Sequence, residues 1–153
     1  ITVLGRRQLQ RWLQLLVFAS GNQNGSCNPL LLLAATRGRL MELLAAELRP
    51  GEGAFADQAF MVGIMSLMPA LVGLSVTEIV APLGLTADVR DALCDGTGPL
   101  GALLRLAENS ENGDISALTA ALAALPGLSA KALNRTQTQA LQWANSIAQE
   151  QPA

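Results

Sequence analysis

Three carboxylates in the second half of the chain have a spacing that could bind a cation. Asp88, Asp91 and Asp95 lie three and four residues apart, so on a helix they share one face. Three carboxylates could hold a hard metal ion and activate water for phosphohydrolysis. Arg90 lies among them, and we favour a solvated helix end as the interpretation. A degenerate phosphohydrolase with a carboxylate-only metal site stays as an alternative function.

Histidine is absent from the whole chain. This excludes the Ser-His-Asp and Cys-His nucleophilic arrangements and removes the commonest general base. Most hydrolytic metal sites also need imidazole ligands. A second acidic group, Glu108, Glu111 and Asp114, is interpreted as another solvated helix end. We therefore predict that this chain is not an enzyme and has no catalytic residue, no metal site and no cofactor.

The glycine-rich residues 95–101 do not predict a phosphate-binding loop. Their G-x-G follows no strand, Pro99 lacks a backbone N–H, and no lysine comes after it, since Lys131 is the only lysine. Arg6, Arg7 and Arg11 form a basic cluster that we interpret as the solvent side of a helix. A phosphate partner could use the arginine cluster, and an anion could bind at the helix N-terminus beside the glycines, but we do not favour either interpretation.

Apolar residues with helical spacing leave a second alternative open. Met61 and Met65, together with Phe60, could line a groove for an apolar small molecule, because methionine adapts to irregular ligands. Ordinary core packing is the interpretation we favour. Cys27 and Cys94 have no metal-ligand spacing and predict free thiols in a reducing compartment, so we expect a cytoplasmic protein.

The composition favours protein contacts over other kinds of binding. Half of the 153 residues are hydrophobic and only 14% are charged, and the mean hydropathy is +0.34. A net charge of −2, 3% aromatic residues and no tyrosine argue against nucleic-acid binding. We expect part of the surface to meet a protein partner or a second copy of the chain.

Every clear periodicity in the chain is helical, which predicts an all-α, irregular multi-helix bundle. Start and stop signals at Asn28-Pro29, Ser75-x-x-Glu78, Asp114 and Ser129 separate the helices. The predicted helices are Gly5–Ser20, Pro29–Leu48, Ala54–Leu67, Val76–Leu83, Ala87–Leu93, Pro99–Asn109, Ile115–Leu125 and a last one after Ser129. No linker divides them, so residues 1–150 form one predicted domain without a second.

The apolar stretch Ala59–Leu85 should form the centre of this bundle. Residues 59–77 approach the length of a membrane span, but Pro69 and two glycines interrupt them. We therefore predict two shorter buried helices and no membrane span. The sequence also shows no signal peptide and begins without Met in an apolar segment, so we expect it to be part of a longer protein.

Five segments, in the same order along the chain, resemble the HDOD domain. They are Arg6–Leu16, Ala59–Met68, Ser75–Ile79, Gly98–Glu108 and Gln139–Asn145. The similarity runs from about Leu4 to Ile147 and is greatest to the HDOD domains attached to EAL domains in bacterial cyclic di-GMP signalling proteins.

This resemblance implies an HD-domain-like fold related to metal phosphohydrolases but without their metal-binding motif. It implies a regulatory or protein-interaction module whose partner is a neighbouring EAL domain or another signalling protein. No catalytic position carries over, because no residue here matches the HD pair. The start of the HDOD domain is expected to precede Ile1, and a homo-oligomer becomes favourable if apolar surface is left exposed.

Overall fold

The computed structural model describes residues 28–149, apart from the side chain at position 148. Within this range it is all-α and contains no strand. The helices are α1 (Pro29–Leu48), α2 (Gly53–Met65), α3 (Met68–Val72), α4 (Val76–Val80), a 3-10 turn (Ala81–Leu83), α5 (Ala87–Cys94), α6 (Gly98–Asn112), α7 (Ile115–Ala123) and α8 (Ala130–Gln149). The predicted helix Gly5–Ser20, with its arginine cluster, and Cys27 lie outside the described residues.

Helix α1 is central, because α2, α3, α6 and α8 all contact it. Its start follows the predicted signal: the Asn28 side chain accepts a hydrogen bond from the Leu30 N–H at 3.0 Å, and Pro29 occupies the first turn. The predicted bounds of this helix are confirmed. Its buried side chains include Leu40, Met41 and Leu44, which belong to the main hydrophobic core.

Helices α1 and α2 cross at two glycines. A Cβ at Gly63 would lie 2.7 Å from the Gly38 Cα and 2.9 Å from the Arg37 carbonyl oxygen. A Cβ at Gly38 would lie 2.7 Å from a side-chain carbon of Ile64. The two backbones therefore touch directly, which brings the middle of α1 against the C-terminal half of α2.

The end of α2 differs from the prediction. The sequence predicts one helix up to Leu67 and then a linker, but α2 ends at Met65 and a new helix, α3, begins at Met68. The reason is Pro69, which lies in the first turn of α3, where its missing N–H and fixed φ suit a helix start. The proline ends one helix and begins another.

The capping box of α4 is confirmed. The Ser75 backbone N–H donates to the Glu78 carboxylate at 2.8 Å, and the Glu78 N–H donates to the Ser75 hydroxyl at 3.3 Å. Helical structure continues as a 3-10 turn and stops at Gly84, whose φ of 58° is in the left-handed region. The predicted Val76–Leu83 helix is therefore an α-helix in its first part only.

The remaining helices complete the core around α1 and α2. The helical spacing of Leu100, Leu103, Leu104 and Ala107 predicts one buried face on α6, and all four residues are buried. Asp114 and Ser129 accept hydrogen bonds at the starts of α7 and α8, as predicted. The helical spacing also predicts one face on α8 that includes Leu133, Ala140, Leu141, Ala144 and Ile147. All of these are buried except Leu141, which is 50% exposed, so its assignment to that face was wrong.

Candidate functional site

Arg37 lies at the point where α1, α2 and α6 meet. Its guanidinium donates to both carboxylate oxygens of Glu111, from Nε at 2.9 Å and from Nη2 at 2.5 Å. Nη1 donates to the Ser66 hydroxyl at 2.9 Å and lies 3.6 Å from a Glu108 oxygen. The Ser66 hydroxyl donates in turn to the Gly63 carbonyl at 2.7 Å. We call these five residues the Arg37 cluster.

Local structure explains how the Arg37 cluster forms. Glu108 and Glu111 are one helical turn apart on α6, so both carboxylates reach the same guanidinium. The glycine crossing of α1 and α2 brings the end of α2 within reach of Arg37. Because only 8% of the Arg37 side chain is exposed, its charge needs these partners to stay buried.

The Arg37 cluster has the chemistry of a structural ion-pair network. An arginine stays protonated in proteins and cannot serve as a general base. Its fork-shaped contact with Glu111 is the geometry that fixes a carboxylate most firmly. The cluster holds three helices together through charge-assisted hydrogen bonds, and it engages both of its carboxylates in doing so.

A second polar group lies where α1 meets α8. Arg39 donates to Glu42 at 2.6 Å, and its Cζ lies 5.7 Å from the centre of the Trp143 ring. Trp143 makes an edge-to-face contact with Phe60 of α2, with 6.0 Å between ring centroids. The buried Nε of Arg39 has no hydrogen-bond partner among the described residues. These contacts connect α1, α2 and α8.

The three carboxylates of the alternative metal site are exposed on and just after α5. Within residues 28–149, no group of three or more acidic or cysteine side chains is placed to hold a metal ion. The structure therefore does not bring Asp88, Asp91 and Asp95 together as a site. Cys94, at the end of the same helix, is an exposed free cysteine.

The second acidic group lies at a solvent-exposed helix end, as predicted, but it also has partners that the prediction did not include. Glu108 and Glu111 are partners of the buried Arg37, and the Asp114 carboxylate accepts a hydrogen bond from the Ala117 N–H at 3.0 Å. Sequence reasoning missed Arg37 because its main partner is 74 residues away. The i, i+3 spacing of the two glutamates was visible, but it does not identify a distant cation.

The residues of the alternative apolar-ligand site lie in the protein core. Phe60, Met61 and Met65 are buried among the core residues, and Met68 joins them from α3.

The glycine-rich residues 95–101 make a tight turn, since a Cβ at Gly101 would lie 2.4 Å from the Gly96 carbonyl carbon. Arg105 donates to the Gly96 carbonyl oxygen at 2.8 Å and so fixes this turn.

One stretch of the described chain, Gly53–Val72, is long and apolar enough to cross a membrane by length and composition only, and 56% of its 18-residue apolar portion is buried inside the protein. In the structure the stretch divides at Ser66 into α2 and α3.

Comparison with known proteins finds a partial similarity to a bacterial enzyme. The chain is 33% identical over 114 residues to the cyclic di-GMP phosphodiesterase CdgJ of Vibrio cholerae serotype O1. The matched stretch covers 74% of this chain but 26% of that relative, so the chain spans about a quarter of the relative's length. No family model matches the chain. No solved structure matches it either.

Proposed function

We propose that this chain is a non-catalytic regulatory module of a bacterial cyclic di-GMP signalling protein. The observation that carries the proposal is the 114-residue similarity to a cyclic di-GMP phosphodiesterase. The similar region is a quarter of that enzyme, which suits one module of a larger protein. Within our proposal the catalytic part is a separate EAL domain, and this chain acts on it, or on another signalling protein, through contacts.

The HDOD identity is part of the same proposal. It is supported by the ordered resemblance of five segments to the HDOD pattern and by the all-α structure of residues 28–149. Four of these segments lie in the described residues, and they fall mainly on α2, α4, α6 and α8. An experimentally determined structure that superimposes on an HDOD domain over these helices would support the assignment, and a different helix order would overturn it.

The polar groups of the structure support a role without catalysis. Arg37 forms ion pairs with Glu108 and Glu111. The carboxylates of Asp88, Asp91 and Asp95 are exposed and do not form a site. A chain whose buried charged groups stabilise helix packing suits a role through contacts with other proteins rather than catalysis. Within the proposal the module therefore acts through its shape and surface, and its partners are the proteins that contact it.

A direct test is hydrolysis of cyclic di-GMP by the purified chain with Mg²⁺ or Mn²⁺. We expect no more product than a heat-inactivated sample gives. The matched control is the double variant Asp88→Asn, Asp91→Asn, which should behave like the unchanged chain. Metal-dependent turnover that this variant abolishes would overturn the proposal and favour a carboxylate-only phosphohydrolase.

A second test uses the longer protein that we expect to carry this chain. We expect deletion of this module to change the rate of cyclic di-GMP hydrolysis, or its response to partners, while the isolated EAL domain keeps its active site. Identical rates and identical partner capture with and without the module would contradict a regulatory role.

A further inference from the structure

The segment between α2 and α5 is attached to the rest of the protein by few buried side chains. Residues 67–85, which we call the strap, contain α3, α4 and the 3-10 turn. Within the strap only Met68 and Val80 are buried, each 4% exposed. Val72 and Leu74 are 52% and 50% exposed although both are large and apolar. The strap therefore has a small share in the core for its length.

The internal structure of the strap is also weak. Its two α-helices have five residues each and the 3-10 turn has three. Helices this short are not stable without tertiary packing. The strap packs on the rest of the protein through α3, which contacts α1 and α2, and through α4, which contacts α5. Partly buried side chains, including Leu71 and Ile79, add to these contacts.

Both ends of the strap have well-defined boundaries. At its start, Ser66 is fixed by the Arg37 guanidinium and by its own hydrogen bond to the Gly63 carbonyl. At its end, Gly84 adopts φ 58°, a conformation that favours glycine and breaks the helical path. The core helices before Ser66 and after Gly84 are tied to one another without the strap, since α2 contacts both α5 and α6.

We propose that the strap opens and closes as a local unit while the core formed by α1, α2, α6 and α8 stays folded. Opening withdraws Met68, Val80 and the partly buried side chains of the strap from the core, whereas global unfolding exposes the whole core, so the local process needs less free energy. The open state exposes Met68 and Val80 beside Val72 and Leu74. The fold thus contains a two-state apolar surface, and this inference stands whether or not the proposed signalling function is correct.

Hydrogen exchange on the unchanged 153-residue chain tests the proposal. The hydrogen-bonded amides of the strap, such as Gly73 and Ile79, should exchange at least about tenfold faster than those in the middle of α1 and α2. Their exchange should also respond less steeply to low denaturant, because local opening exposes little surface. Strap amides that exchange at the rate and with the denaturant dependence of global unfolding would overturn the proposal.

A matched pair of variants sharpens the test. Val80→Ala in the strap should raise exchange of the strap amides about tenfold or more while leaving the middle of α1 unchanged. Val62→Ala makes the same chemical change at a fully buried position of α2 and should raise exchange of the slowest core amides as well. Equal acceleration of strap and core amides by Val80→Ala would contradict an independent strap.

Discussion

Helix α2 and the strap come from one continuous apolar stretch but have opposite environments. Eight of the thirteen residues of α2 are buried. In the strap, which is as poor in charge, two residues are buried and Glu78 is the single charged side chain. Hydrophobicity is similar in the two regions, so it does not explain the difference.

The number of neighbouring helices explains it. Helix α2 lies against α1 at the glycine crossing and also contacts α5 and α6. Its Phe60 reaches Trp143 of α8 as well. The strap helices have five residues each, so α3 places little surface against α1 and α2, and α4 places little against α5. The comparison teaches that an apolar segment becomes core only where other elements cover it, which is a tertiary property.

The largest difference between the two regions should come from truncating one large side chain in each. Phe60 is fully buried, so Phe60→Ala removes its packing and its contact with Trp143, and should lower the free energy of unfolding by about 3–5 kcal/mol. Leu74→Ala in the strap should change it by less than about 0.5 kcal/mol. Denaturant unfolding followed by circular dichroism measures both. Similar losses for the two variants would contradict the comparison.

A methyl group at the helix crossing should have the next largest effect. In Gly63→Ala the new Cβ meets backbone atoms of α1, so the helices must separate, and we expect a loss of about 3 kcal/mol. Gly53→Ala is the matched control, because a Cβ there has nothing within 4 Å and alanine favours helix. The control should be neutral or slightly stabilising. A neutral Gly63→Ala would show that the crossing is looser than described.

Removing the guanidinium at the junction of the two regions should cost somewhat less. Arg37→Met leaves Glu111 without its main partner and frees Ser66, and we expect a loss of about 2 kcal/mol. Arg135→Met is the control, since Arg135 pairs with Glu47 where both side chains are about half exposed, and it should cost less than about 1 kcal/mol. Equal costs would refute the special role of the buried cluster.

The smallest effect should be a pH-dependent one within the strap. The hydrogen bonds from the Ser75 backbone N–H and then from its hydroxyl lower the pKa of Glu78 below its usual 4.5. A lowered folded-state pKa means that the ionised carboxylate stabilises the cap fully above about pH 4.5, and this contribution disappears as the pH falls through the folded-state pKa. Glu78→Gln should therefore reduce protection of the α4 amides at pH 7, and this difference should shrink as the pH falls below 4.5 and through the lowered pKa of Glu78. A pH-independent difference would contradict the ionised cap.

Local signals in the sequence predicted much of the fold. The start of α1 follows from Asn28 and Pro29, and the start of α4 follows from Ser75 and Glu78. These signals need only neighbouring residues, because a cap satisfies the N–H groups of its own first turn. The Pro69 signal was read as an end of helix alone, and its second role as the start of α3 was missed.

Local reasoning did not reach the candidate site. The sequence by itself determined that the described chain is helical and where most of its helices begin. It also excluded the kinds of catalytic site that need a histidine. Only the tertiary structure decided that Arg37 meets Glu111 and that one half of the apolar stretch is buried while the other half is exposed. The physical reason is range: caps and periodicity act within a few residues, whereas ion pairs and burial depend on helices that are distant in sequence and adjacent in space.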